Sequence, residues 1–139
     1  MALGLLAPLD EARMAGRYER DIADDERVVL AAEQDGDVVG MGQLALDSAE
    51  NGRHRAEIQR VAVAPDARGV GVGRALMRAL EDAARGRGVT LAWLTTHDGT
   101  DATHFYESIG YTKLGVVPNW ARTPDGALAA NAFYYRELS

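Results

Sequence analysis

The chain has 139 residues, 47% of them hydrophobic and 26% charged, with a net charge of −6. That is the composition of one globular domain with a sizeable core, neither disordered nor fibrous. The acidic balance argues against nucleic acid or an anionic membrane as the main partner and is mildly compatible with a cationic or amine-bearing ligand. No cysteine is present, which excludes disulfides, thiolate metal sites and an acyl group carried on a thiol of this chain.

The first residues, MALGLLAPLDEARM, hold a short apolar run with no basic residue before it, and no later run is long enough to cross a membrane. The expectation is a soluble cytoplasmic protein of a single domain, residues 1–139. A charged helix is predicted over Leu9–Asp25, with Leu9, Ala12, Ala15 and Ile22 as a loose apolar face. RVVLAAEQDGDVVGMGQLALD then gives two β-branched runs around Asp35-Gly36, a strong hairpin signal.

After the polar stretch SAENGRHR, the strand AEIQRVAVAP breaks its own period of two. Ile58 lies on the even face and Val61 and Val63 on the odd one, with Gln59-Arg60 between them. An inserted bulge residue at Gln59–Val61 produces that parity switch. Pro65 ends the strand, a glycine loop follows, and GRALMRALEDAARGRG reads as a helix. Its apolar face is Leu76, Ala79, Leu80 and Ala83, with an Arg78–Asp82 pair and Gly86 and Gly88 as the stop.

VTLAWLTT is nearly all apolar, as in a central strand covered on both faces. DATHFYESIG is a short helix with Asp101 as N-cap and Gly110 just past its end. YTKLGVVPNW and ALAANAFYYREL are two last extended segments around a turn at TPDG. The order, approximately α-β-β-β-α-β-α-β-β, predicts an α/β (α+β) fold: a mixed, mostly antiparallel central sheet with helices on both faces.

The glycine loop PDARGVGVGRAL joins a strand to a helix, an arrangement that aims free N–H groups and the helix dipole at an anion. G-x-G-x-x-G fails because Arg74 stands where its last glycine belongs, and a Walker loop fails at Arg74 and Ala75. R-x-x-G-x-G fits, as Arg68, Gly71 and Gly73. It resembles the signature of the GNAT superfamily of N-acetyltransferases, in which the loop holds the pyrophosphate of acetyl-coenzyme A. Further on, ATHFYESIGY looks like the second signature of that family, A-x-x-x-Y-x-x-x-G-[FY], as Ala102, Tyr106, Gly110 and Tyr111.

The resemblance runs from about Arg27 to the C-terminus, and the tail SIGYTKLGVVPNWARTPDGALAANAFYYREL looks most like tabtoxin-resistance-type acetyltransferases, which act on small amines. There are two departures. Family members usually begin with another strand and helix, so the first edge strand is missing here or supplied otherwise, for instance by a neighbouring chain in a homodimer. Many members also carry asparagine where Gly99 stands, which puts one hydrogen bond to the cofactor arm in doubt.

The resemblance implies acetyl transfer from acetyl-CoA to a primary amine, and that reaction needs a positioned cofactor, a neutral amine, a site for the developing oxyanion and a proton for the departing thiolate. Cofactor binding is expected from Val61, Ala62 and Val63, whose backbone the bulge would splay from the next strand, and from Arg68, Gly69, Val70, Gly71, Val72, Gly73 and Arg74 around the pyrophosphate. Tyr106 is the expected acid for the thiolate, since an ordinary tyrosine pKa of about 10 lies near that of a thiol, about 8.5. Glu57 is the expected base and Asp98 its competitor; Asp98, His54 and Trp120 are the expected substrate contacts, Trp120 within a substrate-facing loop Pro118–Gly126 or an ordinary hairpin tip. The histidines have no helical ligand spacing, so no metal site is read. Without a cysteine to carry the acyl group, transfer should be direct, through a ternary complex. Acetylation of protein N-termini or lysines, and a non-catalytic acetyl-CoA-binding module, are the alternatives.

Overall fold

The computed structural model describes residues 26–65 and 71–139. The helix expected over Leu9–Asp25, the question of an N-terminal edge strand, and Arg68, Gly69 and Val70 fall outside them. In chain order the elements are β1 (Arg27–Gln34), β2 (Asp37–Leu46), β3 (Arg55–Val63), α1 (Val72–Gly86), β4 (Leu91–His97), α2 (Asp101–Ser108), β5 (Thr112–Arg122) and β6 (Leu128–Glu137). The strands form one six-stranded sheet in the order β1-β2-β3-β4-β6-β5, antiparallel except for β3 beside β4.

The local signals explain most of these elements. Asp35 and Gly36 have φ of 53° and 85°, the pair of left-handed conformations that a two-residue hairpin turn needs. The bulge in β3 is present: Met41 opposes Ala62 and Gln43 opposes Gln59, so Arg60 and Val61 together face Gly42, and Arg60 takes φ 53°. The TPDG turn closes β5 on β6, with Thr123 N–H donating to Ala127 O at 2.8 Å and Asp125 Oδ1 accepting from the Thr123 hydroxyl and the Ala127 amide.

The core lies between the sheet and the helices. Leu44, Ile58, Val61, Leu76, Met77, Leu80, Leu94, Tyr106 and Tyr134 are all buried in it. Gly40 and Gly42 let α1 approach closely: a Cβ on Gly42 would stand 2.9 Å from Leu80 Cδ1 and 3.2 Å from Val61 Cγ2. The face of α1 is rotated from the expected one. Met77, Glu81 and Ala84 join Leu76 and Leu80 inside, while Ala79 is exposed. Glu81 can be buried because Tyr111 donates to its Oε2 at 2.8 Å and Arg136 lies 3.0 Å from both its oxygens. Asp82 pairs with Arg85, not Arg78.

Other expectations are corrected. Tyr134 packs on Tyr106 of α2 at a centroid distance of 6.3 Å, and Arg136, two residues on and therefore on the same side of β6, reaches Glu81 of α1. Both described helices thus cover one face of the sheet, and the third helix of the expected two-sided arrangement, Leu9–Asp25, lies outside the described residues. β4 accordingly alternates, burying Ala92, Leu94 and Thr96 while Leu91, Trp93, Thr95 and His97 are only half-buried. The N-cap of α2 is Thr100, one residue earlier than expected, and Asp101 sits in the first turn; Gly110 ends the helix at φ 102° as expected. Pro118–Arg122 belongs to β5 and is not a loop.

Candidate active site

The bulge decides what happens next to it. β3 and β4 pair only at Arg55–Leu91, Ala56–Ala92 and Glu57–Trp93, and then part. Ala64 donates its N–H to Val39 O at 2.7 Å and so faces β2. Alternation along an extended strand then turns the N–H and C=O of Val63, and of Val61 before it, toward the gap beside β4. Those groups are what an extended amide-bearing arm could pair with, as an added strand would. Ala62 turns its backbone toward β2.

α1 begins beside the end of this strand. Gly71, at φ 84°, is its N-cap and has no side chain to cap it, and the first intrahelical bond runs from Ala75 N–H to Gly71 O at 3.0 Å. The N–H groups of Val72, Gly73 and Arg74 therefore have no partner within the helix and point from its positive end. Val72 Cγ1 lies 3.1 Å from where a Gly40 Cβ would be, and Gly40 opposes Val63. The helix start and the splayed strand are thus neighbours. Arg74 is exposed.

A cavity of about 200 Å³ opens where the strands part, lined by Glu57, Ile58, Gln59, Arg60, Val61, Thr95 and Tyr106. It brings Glu57 and Tyr106 together from two faces: Tyr106 belongs to the core under the helices, whereas Glu57, between the buried Ala56 and Ile58, points to the other side. Burial raises the Tyr106 phenol well above its ordinary value of 10.0. The ordinary tyrosine value expected from sequence is thereby corrected, and the residue is held as a hydrogen-bond donor at neutral pH.

Glu57 is held by Gln59, whose Nε2 donates to Glu57 Oε1 at 2.7 Å. Gln59 Oε1 accepts from Gln43 Nε2 at 2.7 Å and from Arg27 Nη1 at 2.9 Å. On the same face Asn131 Nδ2 donates to Thr95 Oγ1 at 3.0 Å, and His97 stands directly opposite Asn131. His97 Nδ1 and Asn131 Oδ1 are buried without a hydrogen-bond partner among the described residues. Sequence reading missed Gln43, Thr95 and Asn131 and took Gln59 only for a bulge marker, since an isolated polar residue in a strand carries no signal of what it will face.

The remaining expected residues are elsewhere. Asp98 follows β4, donates its N–H to Ala130 O and is paired with Lys113 at 3.3 Å. His54 is exposed at the start of β3, where its carbonyl accepts from Thr90 and Leu91, at the end where the strands still pair. Trp120 is 52% exposed on β5 and meets Phe133 edge-on at 5.0 Å. None of the three lines the cavity. Gly99 lies in the turn after β4 at φ 76° with open space around it. Among the described residues no cluster of histidine and carboxylate groups could hold a metal, and no helix is long and apolar enough to cross a membrane.

A mixed sheet, a bulged strand splayed from its parallel neighbour and a glycine-capped helix at its end form a cleft shaped to take an extended amide-bearing arm that ends in an anion. The chain belongs to the acetyltransferase (GNAT) family, whose model matches residues 5–111. It is 39% identical over 93 residues to the streptothricin acetyltransferase of Streptomyces lavendulae, covering 66% of this chain and 48% of that one. The solved ribosomal-protein-alanine N-acetyltransferase from Brucella melitensis superposes with a TM-score of 0.80 at 27% identity, over 98% of this chain and 85% of that one. A putative acetyltransferase from Salmonella typhimurium, solved with its cofactor acetyl-CoA, shares the fold at a TM-score of 0.77 and 24% identity, over 99% and 79% of the two chains. The chain spans half or less of the length of the curated relatives it matches. The finer likeness to tabtoxin-resistance-type enzymes finds no support among these relatives.

Proposed function

We propose that residues 1–139 form a single N-acetyltransferase domain that moves the acetyl group of acetyl-CoA directly to a primary amine of a small molecule. The observation that carries the reading is the meeting of Glu57 and Tyr106 in one cavity at the point where β3 and β4 part. The donor fits what the chain offers. The gap-facing backbone of Val61 and Val63 matches the amides of a pantetheine arm, and the first-turn N–H groups of Val72–Arg74 match a diphosphate. Arg68, Gly69 and Val70 complete that loop in the family signature.

Acetyl-CoA supplies an acyl group activated as a thioester. The Val61 N–H is the donor for the acyl oxygen as negative charge builds on it. Tyr106 O–H gives its proton to the leaving sulfur. Its raised pKa does not oppose this, because the low dielectric that keeps the phenol neutral also disfavours a bare thiolate. Glu57, on the far face, takes the proton of the incoming amine, directly or through water. Asp98, tied to Lys113 outside the cavity, is a poor base.

The acceptor side is then the face carrying Glu57 and Thr95. The orphaned His97 Nδ1 and Asn131 Oδ1 on that face support this, because buried polar atoms want partners. The streptothricin relative supports a small-molecule amine, and the Brucella structure supports a second reading, a protein N-terminal amine. A panel of small amines, N-terminal peptides and lysine peptides, read by thiol release from acetyl-CoA, tests both. Turnover with peptides alone would replace the first reading by the second, and acetyl-CoA binding with no turnover on any of them would leave only a binding module.

A further inference from the structure

We infer that Gln59 is a positioning residue: it fixes the carboxylate of Glu57 for the incoming amine, with its own amide locked by Gln43 and Arg27. The inference rests on Glu57 being the base.

An amide side chain offers an oxygen on one side and an NH2 on the other, and it can serve a carboxylate only with the NH2 side. Here the choice is made by its surroundings. Gln43, directly opposite on β2 and buried, donates to Gln59 Oε1 at 2.7 Å. Arg27, on β1, donates to the same oxygen at 2.9 Å. Arg27 stands opposite Ala45, and Ala45 stands opposite Glu57, so a small residue leaves the arginine room to reach across β2. Arg60 Nη1 is a third, longer donor to that oxygen at 3.5 Å. With three donors on Oε1, two of them cations, reversing the amide would set N–H against N–H. The Nε2 is thus committed to Glu57 Oε1, which it meets at 2.7 Å.

The consequence is geometric. Glu57 and Gln59 are two residues apart on one face of β3, and the bulge begins at the next residue, Arg60. Glu57 could otherwise swing on its flexible side chain over an opening cavity. Gln59 engages Oε1, and among the described residues no donor engages Oε2, which is therefore the oxygen presented to the acceptor. A base held in one rotamer keeps the reacting atoms aligned, and about 1 Å of misplacement costs roughly a hundredfold in rate.

Two substitutions separate this role from a structural one. Gln59→Glu keeps an acceptor for Arg27 and Gln43 but cannot donate to Glu57; Gln59→Met removes both. Thiol release would be followed with acetyl-CoA and the best amine of the panel, with hydrolysis of acetyl-CoA by water as the acceptor-free readout. Both variants should lose roughly ten- to a hundredfold in kcat while acetyl-CoA affinity by calorimetry stays unchanged. On a Glu57→Gln background neither should cost anything more, since Gln59 acts through that carboxylate. Equal losses in both backgrounds, a loss confined to acetyl-CoA affinity, or full activity in Gln59→Glu would overturn the inference and leave the base assignment standing. Full activity in Glu57→Gln alone would overturn the base assignment and this inference together.

Discussion

Glu57 stands opposite Trp93 at the last rung of the ladder between β3 and β4, and beyond that rung the two strands separate. The separation follows from the bulge, because two residues of β3, Arg60 and Val61, take the place of one opposite Gly42 and bend the strand away. Tyr106 enters the opening from the helical side and Glu57 from the other. The cavity is therefore lined by the two proposed catalytic side chains from opposite faces of one sheet.

Tyr106→Phe should slow thiol release by roughly tenfold or more while leaving acetyl-CoA affinity unchanged. The ring is packed against Phe105, Tyr111 and Tyr134 at 5.3, 6.0 and 6.3 Å, and a phenylalanine keeps those contacts. Steady-state rates with calorimetric binding check this, and an unchanged rate would remove the tyrosine from the mechanism.

Gly42→Ala should destabilise the protein by about 1–2 kcal/mol and weaken acetyl-CoA binding as well. The added methyl would press on Leu80 of α1 and on Val61 of the bulge, both fully buried. Thermal melting and calorimetry on the variant would show both effects; a variant with native stability and native affinity would mean that α1 can shift without disturbing the bulge.

Arg136→Met should cost about 2–4 kcal/mol, because Glu81 would keep its burial and only the Tyr111 hydroxyl as partner. Replacing Glu81 by leucine in the same molecule should recover part of the loss. Urea denaturation of the single and double variants decides the point: an Arg136→Met midpoint equal to the parent would show that the buried carboxylate does not need its cation.

Stability should fall as pH rises through and beyond 10. Unfolded tyrosine titrates near 10.0, whereas burial raises Tyr106 and Tyr111 above that value, the latter further through the neighbouring Glu81 carboxylate. Above about pH 10 the unfolded chain releases protons that the folded chain still holds, so the contribution is complete below that pH and lost above it. Melting temperatures at pH 8, 9, 10 and 11 should be level at first and then drop, less steeply in Tyr106→Phe.

The sequence by itself determined most of the described elements. The Asp35-Gly36 hairpin, the slipped parity at Gln59–Val61, the glycine before α1, Gly110 behind α2 and the two spaced signatures were all readable. Each depends on residues one to four apart, whose alternation or φ preference is a property of the local chain. Tyr106 came from its place in the second signature and Glu57 from a resemblance in its place on the bulged strand, and both line the one cavity. Only the tertiary structure decided the rotation of α1 that buries Glu81, because that burial needs Tyr111 and Arg136, 30 and 55 residues away. It also decided the hydrogen bonds of Gln59 with Gln43 and Arg27, the pairing of Asp98 with Lys113 outside the cavity lining, and the placing of both described helices on one face. A buried polar group is stable only with partners that satisfy it, and those partners are chosen by which strands pair and in what register. No short-range pattern along the chain encodes that choice.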